Sequence, residues 1–281
     1  MSYLEKIQQC NNRRVDAFEA LWVEDRRVGW IRKDYVSSLR QFADVFEFEK
    51  RGIALHHSLT SQQVRTDAIQ SAIDGLIKDG VIDKHYGEIY PVTASHKHLP
   101  EFLIDRGVAS LFGTRTFGQH LNGYVMRDGG LYMWIARRAM DRGYEPGKLD
   151  QLVAGGFPHG MTAQENMRKE CMEEAGMSAE LADRAVAVSA ITCCYENPHG
   201  VKPETLYCYD LELAEDFQPV CTDGEVDEFM LMPIEEVAEI VRDTDQFKLN
   251  CNLVVIDFLI RYGYLTPEDG DYDSLVAGLH Q

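Results

Sequence analysis

The chain has 281 residues, with 45% hydrophobic and 26% charged, which suits an ordinary folded protein of one or two domains. Its 46 acidic against 28 basic residues leave a formal net charge of -18, a sign that repels phosphate backbones and disfavours nucleic acid as a partner. No apolar run approaches the ~18 residues a membrane span needs, and residues 1–6 lack a basic segment leading into an apolar one, so neither a membrane partner nor a secretory signal is expected.

In chain order, residues 18–32 read as a hairpin with a polar turn at Glu24-Asp25-Arg26-Arg27. A helix is expected over 35–42, then strands over 45–49 and 53–56. Residues 61–78 carry Val64, Ala68, Ala72, Ile73, Leu76 and Ile77 at helical spacing, with Ser61 as cap and Asp79-Gly80 as stop. A strand at 89–90 and a helix over 101–112 complete a first α+β unit, residues 1–112. The second unit, residues 113–281, opens with a strand over 117–126, a turn at Asp128-Gly129-Gly130 and a return strand over 131–137. A Gly/Pro-rich loop leads into a helix within 154–176. Strands over 185–195 and 205–213 flank Asn197-Pro198-His199-Gly200, and a further strand covers 228–232. Helices cover 234–242 and 250–262, the latter stopped by Gly263. The fold class is α/β. The seven cysteines (Cys10, Cys171, Cys193, Cys194, Cys208, Cys221, Cys251) are odd in number and lack CxxC spacing. That points to reduced thiols and a cytoplasmic location.

Residues 155–177 carry the chemistry. Thr162 followed three residues later by Glu165 is a capping box, so a helix begins near Ala163. Gly176 suits the left-handed residue that ends it. At about 100° per residue, Glu173 lies about 60° to one side of Glu170 and Glu174 about 40° to the other. Three carboxylates thus crowd one arc near the helix C-terminus, where the macrodipole also disfavours anions. A divalent cation relieves both conflicts, and hard oxygen ligands suit Mg²⁺ or Mn²⁺. Gly155, Gly156, Pro158 and Gly160 let the preceding loop bend tightly and approach a ligand.

This loop-helix unit resembles the Nudix box, GX5EX7REUXEEXGU with U an apolar residue. Gly155 matches its opening; Glu170, Cys171, Glu173, Glu174, Gly176 and Met177 match its end. Met161 stands where the box has Glu, and Lys169 where it has Arg. Lys169 keeps the charge without the guanidinium fork and is expected to pair with Glu165 and Glu173. The segments Phe117–Tyr124, Trp134–Arg138, Pro146–Asp150, Asp223–Val226 and Phe247–Cys251 are similar to one Nudix subfamily, found alone or fused to thiamine pyrophosphokinase behind a domain of uncharacterised function. The resemblance implies a Nudix α/β/α sandwich with a mixed sheet. It also implies a small-molecule substrate, thiamine diphosphate or its oxidised oxo and oxy analogues.

On that footing, Glu173, Glu174 and the Gly155 carbonyl are expected to hold metal. Glu170 is expected to join the metal set and to coordinate or orient the attacking water, with Glu225 a fourth ligand candidate and Glu228 a weaker one. Arg137, Arg138, Trp134 and His120 are the substrate-binding candidates. Strand alternation admits at most one of the two arginines to the site. A nucleoside diphosphate such as ADP-ribose is the competing substrate, and a non-catalytic ligand sensor or a diphosphate isomerase are the competing functions. The front unit is left two roles, substrate recognition or a homodimer contact. No Ser-His-Asp set, P-loop lysine or GxGxxG is found.

Overall fold

The computed structural model describes residues 2–95 and 97–281. The chain begins with helix α1 (Tyr3–Gln9) and then the hairpin β1 (Phe18–Val23) and β2 (Arg26–Arg32). Next come α2 (Val36–Leu39), β3 (Phe46–Glu49), β4 (Gly52–Leu55), α3 (Gln62–Lys78), β5 (Ile89–Val92) and β6 (Phe102–Asp105). The first four strands form a sheet in the order β2-β1-β4-β3, and β5 pairs with β6 separately. Ser61 caps α3 as its sequence predicts, and Ile69, Ala72, Ile73 and Leu76 bury its apolar face.

One expectation fails here. Residues 101–112 are not a helix: Phe102 and Ile104 are buried on one face of β6, opposite Val92 and Tyr90. That is strand alternation, and a short 3-10 turn follows at Arg106–Val108. Helix α1 packs away from the front core: its Ile7, with Cys10 just beyond it, sits in the core of the second unit with Leu275 and Leu279.

The second unit holds β7 (Thr116–Arg127), β8 (Gly130–Arg138), β9 (Leu149–Gln151) and β10 (Val153–Gly156). After them come α4 (Ala163–Ala175), α5 (Ala179–Ala182), β11 (Val186–Asn197), β12 (Gly200–Glu212), β13 (Val226–Pro233), α6 (Ile234–Asp243), α7 (Cys251–Arg261) and α8 (Tyr272–Gly278). The sheet runs β11-β12-β7-β8-β13, with β10 on β7 and β9 on β8. It is mixed, because β12 and β7 are parallel while the other pairs are antiparallel.

Helices cover both faces. Leu121, Val125, Trp134 and Val153 pack on one side with Met167, Cys171 and Ala175 of α4. Met133 and Ile135 alternate to the other side, against α6 and α7. This is the α/β/α sandwich. All seven cysteines are free thiols, and Cys193 is buried.

Candidate active site

The sequence of α4 sets two parallel rows. Met167, Cys171 and Ala175, four residues apart, drive the helix onto the sheet. One step round the helix, Asn166, Glu170 and Glu174 follow the same spacing and are buried with it. They run along β10 in reverse order. Asn166 Nδ2 donates to the Gly156 carbonyl at 2.9 Å. Glu170 packs on Gly155, where a Cβ would lie 2.3 Å from the Glu170 carboxyl carbon. Glu174 Oε2 accepts the Ala154 N–H at 2.8 Å. Gly155 is therefore required by the close approach of a carboxylate.

Both ends of α4 are fixed as its sequence indicates. Thr162 Oγ1 accepts from the Glu165 N–H at 3.2 Å, and Glu165 Oε2 accepts the Thr162 N–H at 2.9 Å. Gly176 takes φ 64°. Helix-terminal carbonyls that would lack partners are met by the next loop: Val220 N–H donates to Ala175 O, and Thr222 N–H to Glu173 O. That loop continues to Glu225.

Burial raises the Glu174 carboxyl to about 8, against the lowering effect of the Ala154 N–H; Glu170, Asp150 and Glu225 push it further up. Glu170 is also raised, first by burial, with Lys169 opposing. Glu173 is half exposed. Lys169 Nζ lies 3.1 Å from Glu170 and 2.8 Å from Glu173. Its expected partner Glu165 instead closes the capping box. Burial alone would lower the Lys169 ammonium, but the bond to Glu173 and the charge of Glu170 raise it. One cation thus already lies between two of the carboxylates. Hard oxygen donors, two of them buried and raised, are a set that fits Mg²⁺ or Mn²⁺.

Among the described residues, two triplets bring potential ligand atoms within 4.8 Å of one another, Glu47/His56/His57 and His120/Asp150/Cys251, and Glu170, Glu173 and Glu174 are not one of them. Asp150 in the second is already occupied. It accepts from Arg138 and Lys248, each at 3.2 Å, and from the Cys251 thiol at 2.7 Å.

The remaining candidates fall in different places. Glu225 pairs with Arg142 at 2.8 Å, on the flank of Glu174. Arg138 turns inward onto Asp150, while Arg137 pairs with Glu228 at 3.1 Å and with the Gly147 carbonyl. Trp134 is in the core beneath α4, edge-on to Phe217, with its indole N–H unpartnered, so it offers no ring face to a ligand. His120 is buried and bonded to Gln151 Oε1 at 2.8 Å. Burial, then Lys248, lowers its imidazole to about 4.

Sequence reasoning missed the front unit's hold on the box loop. Ile89 O accepts the His159 N–H at 2.8 Å. Lys97 Nζ reaches the Pro158 and Met161 carbonyls at 3.3 and 3.4 Å and lies 3.0 Å from the centre of the Phe157 ring. A Cβ on Gly156 would fall 2.1 Å from the Tyr90 hydroxyl. The paired glycines were the available signal, since adjacent Cβ positions on a strand point opposite ways.

Comparison with known proteins adds to this geometry. Residues 2–116 match the family described as "Domain of unknown function (DUF4743)", and residues 121–251 match the "NUDIX domain". "Nudix hydrolase 24, chloroplastic" from Arabidopsis thaliana is 42% identical over 281 residues, covering 99% of this chain and 77% of the relative. "Nudix hydrolase 20, chloroplastic" from the same plant is 41% identical over 288 residues, with the same coverage of 99% and 77%. Among solved structures, a C. elegans Ap4A hydrolase binary complex overlays with a TM-score of 0.39 at 16% identity, covering 53% of this chain and 99% of that one.

Proposed function

Since the chain belongs to the Nudix hydrolase family, whose members act on diphosphate linkages, we propose that it hydrolyses thiamine diphosphate or its oxidised oxo and oxy analogues to the monophosphate. The observation that carries the hydrolytic part is the row of Glu170 and Glu174 against Gly155 and Ala154, with Glu173 beside it. The organic part of the substrate rests on the sequence resemblance to the subfamily associated with thiamine pyrophosphokinase, not on fold.

Glu173, Glu174 and the Gly155 carbonyl would hold Mg²⁺ or Mn²⁺, with Glu225 as a further ligand on release from Arg142. Such an ion supplies positive charge against the phosphoryl oxygens and acidifies water. The chain's own residues do the rest. Glu170, raised by burial, is suited to accept a proton. Water oxygen bonds to one phosphorus, the bridging P–O bond breaks, and the water proton passes to the Glu170 carboxylate. The products are thiamine monophosphate, or its oxidised analogue, and inorganic phosphate. Ala154 N–H and Gly155 keep Glu174 and Glu170 in place during the step.

Two experiments test this. Glu173→Gln and Glu174→Gln should each lower Mg²⁺-dependent kcat by at least 100-fold while far-UV circular dichroism is unchanged. Full activity in both rejects the carboxylate assignment. A panel of thiamine diphosphate, its oxo and oxy forms and ADP-ribose, ranked by kcat/KM, tests the substrate. ADP-ribose ranking first overturns the thiamine assignment and leaves the hydrolase intact.

A further inference from the structure

The front unit reaches the box with a group that the reaction above leaves unused. Tyr90 and Glu88 lie against Gly156, the neighbour of the glycine that receives Glu170: the Glu88 Oε1 atom is 3.6 Å from where a Gly156 Cβ would be. The charge of Glu88 is felt at Glu170. Arg106 Nη1 is 2.5 Å from Glu88 Oε2, and its backbone N–H donates to the Glu88 carbonyl at 2.8 Å. We propose that Arg106 is a substrate-binding residue of this active site, a clamp for the anionic end of a diphosphate, held ready by Glu88. The proposal rests on the diphosphate-hydrolase reading and deepens it, giving the domain of unknown function a part in the site.

The segment is built to hold that position. Asp105 is buried and accepts backbone N–H groups from Tyr86, Gly87 and Gly107 at 3.0, 2.7 and 2.8 Å. Three charge-assisted bonds of this kind fix the chain on both sides of Arg106.

The other cations around the box are committed elsewhere. Lys169 bridges Glu170 and Glu173, Arg138 is sunk on Asp150, and Lys97 is 5% exposed on the loop carbonyls. Arg137 is tied to Glu228 and Gly147. Arg142 is paired with Glu225 on the opposite flank. The Arg106 guanidinium is held by Glu88 and the Tyr90 hydroxyl, and its side chain keeps 43% of its surface exposed. A guanidinium presents paired N–H groups that match phosphate oxygens as well as a carboxylate. An exposed ion pair contributes little, so a phosphoryl group can displace Glu88. A site walled by glutamates in a chain of net charge -18 needs such a group to admit an anion.

The test is calorimetric titration of methylenediphosphonate, a diphosphate that is not cleaved, into the full chain with Mg²⁺, together with steady-state kinetics. Arg106→Gln should weaken binding at least tenfold and raise KM similarly, with kcat within twofold. Arg106→Lys should fall between it and the unmodified protein, and it carries the test if Arg106→Gln does not fold. Arg127→Gln, on the β7–β8 turn, should change neither. Unaltered Kd and KM in the Arg106 variants overturn the clamp alone. So does a loss confined to kcat and Tm, which would make Arg106 a docking residue. If the unmodified protein does not bind the probe, the diphosphate reading falls with the clamp.

Discussion

Glu174 and Gly155 show how little freedom the site residues have. A methyl group on Gly155 would drive the Glu170 carboxyl from its place, because 2.3 Å separates the positions. Displacements of about 1 Å can cost on the order of 100-fold in rate. Gly155→Ala should therefore lower kcat by about that factor while the protein stays folded, as read by kinetics beside a melting curve. His120 gives a pH prediction. Its imidazole is about 4 in the folded protein and about 6.5 unfolded. Between those values the unfolded chain binds the extra proton, so the His120 contribution lowers stability as pH drops from about 6.5 to about 4, while the Glu174 carboxyl, raised to about 8, acts in the opposite sense. The full His120 effect is roughly 3 kcal/mol. Urea unfolding of the two proteins across that range should show His120→Gln gaining stability relative to the unmodified protein as pH drops, the difference isolating the imidazole. The shared arc of Glu170, Glu173 and Glu174 on α4 was legible from spacing, while Gly155 entered through the resemblance to the box. Of the Lys169 contacts, the i,i+4 pair with Glu173 was legible from spacing, whereas the contact with Glu170 was not, since a flexible ammonium also reaches the adjacent residue. Trp134 was open to either a core position or a ligand face, and the structure puts it in the core.

At the scale of elements, α4 was readable because every local signal agreed: a capping box, an apolar stripe and a terminal glycine. Removing one should cost a predictable amount. Thr162→Ala leaves N-terminal amides without their acceptor, at about 1 kcal/mol. A matching fall in urea-unfolding free energy is expected, with kcat reduced less than in Gly155→Ala. Residues 101–112 misled because their apolar positions are open to both helical and strand spacing. Pairing with β5 decides the outcome, and pairing is not a local property. Helix α1 had a signal that was overlooked. Ser2 and Glu5 form a capping box, with Ser2 Oγ accepting at 3.2 Å and Glu5 Oε2 at 2.8 Å.

For the whole molecule, the front unit is not a separable appendage. It holds the box loop through Ile89, Tyr90 and Lys97. Its β2 also meets the second unit, where Arg32 donates to the Pro198 carbonyl at 3.0 Å. The stretch before it is anchored elsewhere: Ile7 is 2% exposed, and a Cβ on Gly278 would fall 2.4 Å from its side chain. Ile7→Ala should cost about 2–5 kcal/mol and lower the unfolding midpoint of the hydrolase unit itself. A loss limited to a front-unit transition would show that α1 is not part of that core. None of this long-range packing is written in periodicity, which records that a residue is buried but not against what.

The placement of α1 beside α8 bears on how the molecule assembles during synthesis. On the ribosome, α1 emerges before the front sheet, but the helix that completes its socket is translated far later. The intervening front sheet can close on its own core meanwhile. The apolar side of α1 must wait, exposed, until residues near Leu275 and Leu279 arrive. A nascent chain stalled before residue 270 should therefore bind a chaperone through its opening helix, and release should follow once α8 clears the exit tunnel.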